Sequence, residues 1–373
     1  MIPVAEPFLQ EDDILQATEC LKSGWISSAG KNIEEFEKSW ASYCNRKHGI
    51  AVCNGSVALD AAVRILDLSP GDEIIMPAFT IISCAQAIIA NRCIPTLVDQ
   101  SADNWQMDVN QIEAKLTAKT KAIMAVHIYG HPVDMDPLLD ICRKHNLKLI
   151  EDAAEAHGAL YKNKPCGSFG DVSTFSFYAN KLITTGEGGM LVVNDDLLAK
   201  EARSYRNLCF EPQQRFFHNE LGQNYRMTNL QAALGVNQVK RIESIVEKKR
   251  AIAAQYKKLL HGVKGITLAA EEAWARNVYW VFGVLLSEEY GENCLWLTKE
   301  LHEKGIETRP FFLGMHEQPA LKKLGLYKDE KYPVAENLAR RGFYLPSGLT
   351  IKNEEIKYVA DCLIDCLNKG RRL

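Results

Sequence analysis

Short apolar runs rich in β-branched residues alternate with segments of helical period through the first two-thirds of the chain. The runs predict strands at 48–52, 73–76, 96–98, 122–127, 148–151, 173–177 and 190–193. In several of them the apolar residues are consecutive, as in strands covered on both faces. Helical periodicity fills most of the gaps, for example at 57–66 and 136–144. This alternation predicts an α/β fold with a mostly parallel sheet. The last third reads differently. Thr228-Asn229-Leu230-Gln231 has the form of a capping box opening one long amphipathic helix that runs toward Leu260. A strand-like run at 278–286 follows, then a helix at 296–304. A final helix sets Ile356, Val359, Leu363 and Leu367 on one face. The expected division is a large domain over 1–243 and a smaller C-terminal α+β domain over 244–373.

Composition narrows the function classes. A formal net charge of -3 over 373 residues leaves no electrostatic footprint for nucleic acid. The eleven cysteines lack paired zinc-type spacings and read as small buried hydrophobes in a reducing compartment. Met1 to Leu9 lacks the basic and apolar regions of a signal peptide, and no apolar run reaches the length of a membrane span. A soluble, cytoplasmic protein with no membrane partner is expected.

The candidate chemistry lies in three segments. Lys181 follows an apolar strand and is the one charged residue between 172 and 186. Desolvation there disfavours its ammonium form, which suits a Schiff-base nucleophile. Asp152 ends a buried strand one crossover earlier, so both groups can reach the same sheet edge. A buried carboxylate at that edge can keep the ring nitrogen of pyridoxal phosphate protonated, as an electron sink requires. The third segment, Asn54-Gly55-Ser56, is a turn between a strand and a helix start. Gly55 permits close backbone approach, Ser56 offers a hydroxyl, and the free amides of a helix start favour a phosphate. Ser176 can add a second hydroxyl. Each segment alone has a plainer reading: a solvated lysine, a capping aspartate, a capped helix. Competing motifs are missing. No G-x-x-x-x-G-K-[ST], H-E-x-x-H or G-x-S-x-G occurs, and Gly186-Glu187-Gly188-Gly189 lacks dinucleotide spacing. His127, His131, His157 and His316 are scattered and read as structural groups or substrate contacts, so no metal site is expected.

In this order the segments resemble the DegT/StrS family of nucleotide-sugar aminotransferases, and within it the perosamine-synthase branch. The resemblance runs nearly end to end. It is carried by Gly24-Trp25-Ile26-Ser27-Ser28, Asn54-Gly55-Ser56-Val57-Ala58-Leu59 and Val126-His127-Ile128-Tyr129-Gly130-His131-Pro132. Glu151-Asp152-Ala153-Ala154-Glu155-Ala156, the stretch from Thr174 to Lys181, Asn224-Tyr225-Arg226-Met227-Thr228-Asn229 and Glu307-Thr308-Arg309-Pro310 continue it. It implies an aspartate-aminotransferase-like (fold type I) large domain and pyridoxal 5'-phosphate as cofactor. Lys181 would form the Schiff base and shuttle the proton, and Asp152 would pair with the pyridine nitrogen. Gly55, Ser56 and Ser176 would hold the phosphate, with Glu155 and Ile81 near the ring. Asn224 would serve the neighbouring subunit's cofactor in a homodimer with shared sites. Trp25, Arg309 and His316 stand where relatives contact substrate. The implied reaction moves an amino group from L-glutamate to a nucleotide-linked keto-sugar for surface polysaccharide or lipopolysaccharide. GDP-4-keto-6-deoxymannose leads, with a UDP- or dTDP-linked keto-sugar or an oxidised octulosonate as alternatives. Two departures concern substrate choice: Ile81 replaces an aromatic common in relatives, and Arg206-Asn207-Leu208-Cys209-Phe210 replaces a glycine-containing stretch. A sugar dehydratase of the same fold carries histidine in place of the lysine, so Lys181 argues against it. A regulatory protein on this fold would not need Lys181, Asp152 and the phosphate donors together.

Overall fold

In the computed structural model the described residues are 1–211, 213–214 and 216–370. Helices α1 (Glu11–Ser23) and α2 (Lys31–Tyr43) precede the first strand. The chain then builds β1 (His48–Val52), β2 (Glu73–Pro77), β3 (Ile94–Val98), β4 (Thr120–Val126) and β5 (Lys148–Asp152). A small pair, β6 (Leu160–Tyr161) and β7 (Lys164–Pro165), leads to β8 (Val172–Ser176) and β9 (Gly189–Val193). Seven of these form one sheet in the order β1-β9-β8-β5-β4-β2-β3. The neighbours from β8 to β3 are parallel, while β9 runs antiparallel to both β8 and β1. Every residue of β9 is buried, which is why its sequence Gly-Met-Leu-Val-Val shows no alternation. All seven strands fall where the apolar runs predict them, within two residues at each end.

Helices α3 (Gly55–Arg64), α4 (Ile82–Ala90), α5 (Met135–His145) and α6 (Asp196–Tyr205) connect or follow the strands of this sheet. Beyond them, the single long helix expected from Thr228 is two helices, α7 (Asn229–Lys240) and α8 (Ile242–Leu259). The capping box itself is present: Thr228 Oγ1 accepts from Gln231 N–H, and Gln231 Oε1 accepts from Thr228 N–H. The break falls at Arg241, whose φ of -115° and ψ of 18° leave the helical region. Its guanidinium turns onto Asp13 of α1, a fully buried carboxylate, with one contact at 3.0 Å, and also meets Asp12 at 3.3 Å. An unpaired carboxylate at that depth would cost several kcal/mol, on the order of 3–5. Tertiary pairing therefore overrides the helical period at this one residue.

The remainder holds β10 (Ile266–Thr267), β11 (Ala275–Arg276), β12 (Phe282–Leu286), α9 (Leu295–Glu303) and β13 (Arg309–Pro310). It ends with α10 (Pro319–Lys323), α11 (Pro333–Arg341), β14 (Gly342–Leu345) and α12 (Asn353–Lys369). A four-stranded sheet runs β10-β12-β14-β13, and β11 joins β6 and β7 in a three-stranded one. The strand expected over 278–286 begins only at Phe282, because Tyr279 has a φ of 48° and cannot sit in an extended ladder. Ile356, Val359, Leu363 and Leu367 are all buried on α12, against Val284, Leu297 and Phe343. No helix among the described residues is long and apolar enough to cross a membrane. All eleven cysteines are free thiols, most of them buried.

Candidate active site

Four chain segments meet at the C-terminal ends of β5 and β8, the edge where open α/β sheets bind ligands. The first is the turn after β1. Asn54 caps α3 by accepting from Val57 N–H at 3.0 Å. The amides of Gly55 and Ser56, in the first turn of a ten-residue helix, have no carbonyl behind them to bond. A Cβ built on Gly55 would lie 2.6 Å from Ser176 Cβ, so only glycine lets this turn close against the end of β8. Ser56 Oγ lies 2.8 Å from Ser83 Oγ in α4. Amides and three hydroxyl-bearing residues thus line one small polar cradle with helix α3 behind it.

The second segment is the end of β5. Asp152 is buried, accepts from Ala154 N–H at 3.0 Å and lies 3.3 Å from the Cys84 thiol. Burial raises its carboxyl above the usual range, while those bonds and Lys181 work against the rise. Three residues on, Glu155 accepts from Tyr129 N–H at 2.7 Å. Tyr129 holds that amide in place from a left-handed backbone, φ 57°. The third segment carries Lys181, whose Nζ lies 3.8 Å from Glu155 Oε1. Burial lowers the lysine's proton affinity and raises that of Glu155, and each opposes the change in the other. The fourth is Trp280, whose indole centre lies 3.5 Å from Lys181 Nζ.

Pyridoxal phosphate fits this arrangement at three separated points. Gly55, Ser56 and Ser176 offer an anion cradle without a side chain in the way. Asp152 is a buried carboxylate with no cation bonded to it among the described residues, as a protonated ring nitrogen requires. Lys181 supplies a desolvated amine within electrostatic reach of Asp152. Ile81 stands at the start of α4 and is 40% exposed, free to lie against a planar ring.

The other expected contacts have partners of their own. Trp25 is 64% exposed and its carbonyl accepts from the Asn229 amide at 2.6 Å. Asn224 is exposed on a loop whose next residue pairs with the end of β1, Tyr225 O accepting from Cys53 N–H at 2.8 Å. Arg309 pairs with Glu307 at 2.5 Å. His316 is buried with Nε2 3.2 Å from Glu336. No hydrogen bond or ion pair among the described residues joins these four to Lys181, Asp152 or Glu155. Sequence reasoning missed Ser83, Cys84 and Trp280. A serine and a cysteine within an apolar helix, and a tryptophan before a strand, look like ordinary core positions; only the fold turns them toward the site.

One further cluster has metal-ligand composition. Ligand atoms of His127, Glu151 and Cys166 lie within 4.8 Å of one another. The Glu151 carboxylate is already filled, by His127 at 3.0 Å, the amides of Gly167, Phe169 and Gly170, and Ser173 Oγ at 2.8 Å. Five donors on one carboxylate leave it no lone pair for a cation.

Known proteins place these residues in context. A GDP-perosamine synthase of Escherichia coli O157:H7 is 40% identical over 364 residues, 97% of each chain. One from Caulobacter vibrioides is 40% identical over 363 residues, again 97% of each. The crystal structure of S. venezuelae DesV in complex with a ketimine intermediate superposes with a TM-score of 0.89 at 32% identity, over 97% of this chain and 98% of that one. The family model for DegT/DnrJ/EryC1/StrS aminotransferases, which are pyridoxal-phosphate-dependent, matches residues 7–364. The lysine, the aspartate and the Gly55–Ser56 turn therefore sit in a chain that belongs, over nearly its whole length, to the DegT/DnrJ/EryC1/StrS aminotransferase family.

Proposed function

We propose that this enzyme transfers an amino group from L-glutamate to a nucleotide-linked keto-sugar of the perosamine type, with GDP-4-keto-6-deoxymannose the favoured acceptor. The observation that carries the reading is Lys181, buried within reach of Glu155 and Asp152, in a chain 40% identical to proteins named GDP-perosamine synthase. When bound, pyridoxal phosphate supplies the electron sink for cleaving a C–H bond next to nitrogen.

The residues divide the remaining work. Gly55, Ser56 and Ser176 bind the phosphate, and Asp152 holds the ring nitrogen's proton. Lys181 attaches the cofactor and then moves the proton at its Nζ, with Glu155 as the neighbouring carboxylate. Ile81 packs on the ring. Trp25, Arg309 and His316 orient the nucleotide sugar, and Asn224 completes the site of a second copy in a homodimer. We place the division between the two domains at 243/244. The enzyme works in the cytoplasm, in line with its free thiols, and its product is destined for surface polysaccharide. The test is a panel of GDP-, UDP- and dTDP-linked keto-sugars with L-glutamate as donor and mass detection of the amino-sugar. Amination of the GDP-linked 4-keto-6-deoxy sugar at the highest kcat/KM is expected. Strong preference for a UDP- or dTDP-sugar would reassign the substrate and leave the reaction class intact.

A further inference from the structure

Lys181 arrives at the site on the loop after β8, but the surface under its ammonium comes from the approach to β12. Trp280 touches the lysine at both ends. Its ring centre lies 3.5 Å from Nζ, and its indole N–H donates at 2.9 Å to the carbonyl of Asn180, the peptide group just ahead of Lys181. The tryptophan is itself pinned. A Cβ on Gly130 would lie 3.0 Å from Trp280 N, so the two backbones are in contact. From the other side Lys249, a buried lysine on α8, donates to the Trp280 carbonyl at 3.0 Å and to the Ser347 carbonyl at 2.5 Å. No carboxylate among the described residues pairs with Lys249; its Nζ acts as a clamp on main-chain oxygens.

We propose that Trp280 is a positioning residue for Lys181, fixing the main chain before it through the indole N–H and steadying its ammonium on the ring face. The proposal rests on Lys181 being the lysine of the reaction. The ring acts on the amine in two opposed ways. It excludes water, which disfavours the ammonium, and it presents a negative π face, which favours it. The other charged or titratable groups facing Nζ are Glu155, Asp152 and His157, all on or just after β5. Substitutions at 280 leave them in place, so two apolar replacements that differ only in having a ring separate the two effects.

The cofactor-free protein supplies the measurement. Labelling of amines with trinitrobenzenesulfonate across pH, with Lys181 followed by peptide mass mapping, reports that lysine's proton affinity. Trp280→Phe keeps a ring and loses the N–H, while Trp280→Leu keeps an apolar wall and loses both. Lys181 in Trp280→Leu is expected to bind its proton about three- to tenfold more weakly than in Trp280→Phe. Equal midpoints in the two variants would overturn the ring's role. A second readout needs no variant at 280. Reductive 13C-methylation of the wild-type protein should give one dimethyllysine signal displaced by the indole ring current and missing in Lys181→Arg. Absence of any displaced signal that Lys181→Arg removes would overturn the placement. Borohydride reduction of the protein loaded with pyridoxal phosphate keeps the two ideas apart. A pyridoxyl group on another lysine would sink the role of Lys181, whereas the two readouts above judge Trp280 whichever lysine is modified.

Discussion

Glu151 and Asp152 are adjacent and almost wholly buried, yet their carboxyl groups behave in opposite ways. Burial alone would raise both. At Glu151 the hydrogen bonds from His127 and the loop amides reverse that effect and hold the carboxyl at about 2. At Asp152 one amide and one thiol are too few, and burial wins. Glu151 has a depressed folded-state value, so its stabilisation is complete above pH 4.5 and is lost as pH falls from there toward 2. It amounts to roughly 3 kcal/mol. Glu151→Gln should therefore lower the urea midpoint at pH 6 and approach wild type as the pH drops to 3; a pH-independent difference would remove the carboxylate from the account. Asp152→Asn should reduce turnover on the order of a hundredfold or more with a smaller loss of cofactor affinity, checked by steady-state rates and titration of the cofactor-free protein. Near-normal turnover would make Asp152 only a cap. Lys181 and Asp152 stood out in the sequence through the order of the segments and the resemblance they carry, since a charge at the end of an apolar run reads alone as a solvated lysine or a capping aspartate. Trp280 did not, since its contact with Lys181 joins segments on either side of α7 and α8, and no local pattern records that.

Among the elements, the strands were read closely because short apolar runs rich in β-branched residues, set between helical segments, suit covered strands better than helices. Helix α7 was read from its capping box, but the stop at Arg241 was hidden. Nothing within 228–260 announces it, since the cause is Asp13 on α1. The same pairing makes a prediction at this scale. Arg241→Met strands a fully buried carboxylate and should destabilise the protein by about 3 kcal/mol, measured as a fall in denaturant midpoint at unchanged slope. Asp13→Asn combined with Arg241→Met should recover part of the loss. An additive double variant would mean that the helix break, and not the ion pair, supports α1.

At the scale of the whole molecule, the proposed homodimer with shared sites predicts complementation. Lys181→Ala and Asn224→Ala, each impaired alone, should regain activity when mixed and allowed to exchange subunits. Each mixed dimer then has one site with both Lys181 and an intact Asn224 from the other chain. No recovery, with exchange proven by mass, would put Asn224 in its own subunit's site. The sheet order has a consequence for how the chain comes to be folded. β1, which delivers the Asn54-Gly55-Ser56 turn, finds its partner strand in β9, and the turn closes on Ser176 of β8. A nascent chain must therefore expose residues 189–193 before residues 48–52 have a strand to pair with, and such long-range closure comes late. The vitamin-derived ligand can assist only after that moment, by binding the assembled state. Added pyridoxal phosphate should raise the soluble yield of variants that loosen the finished cradle, and should do nothing for variants that stall folding before β9 joins the sheet.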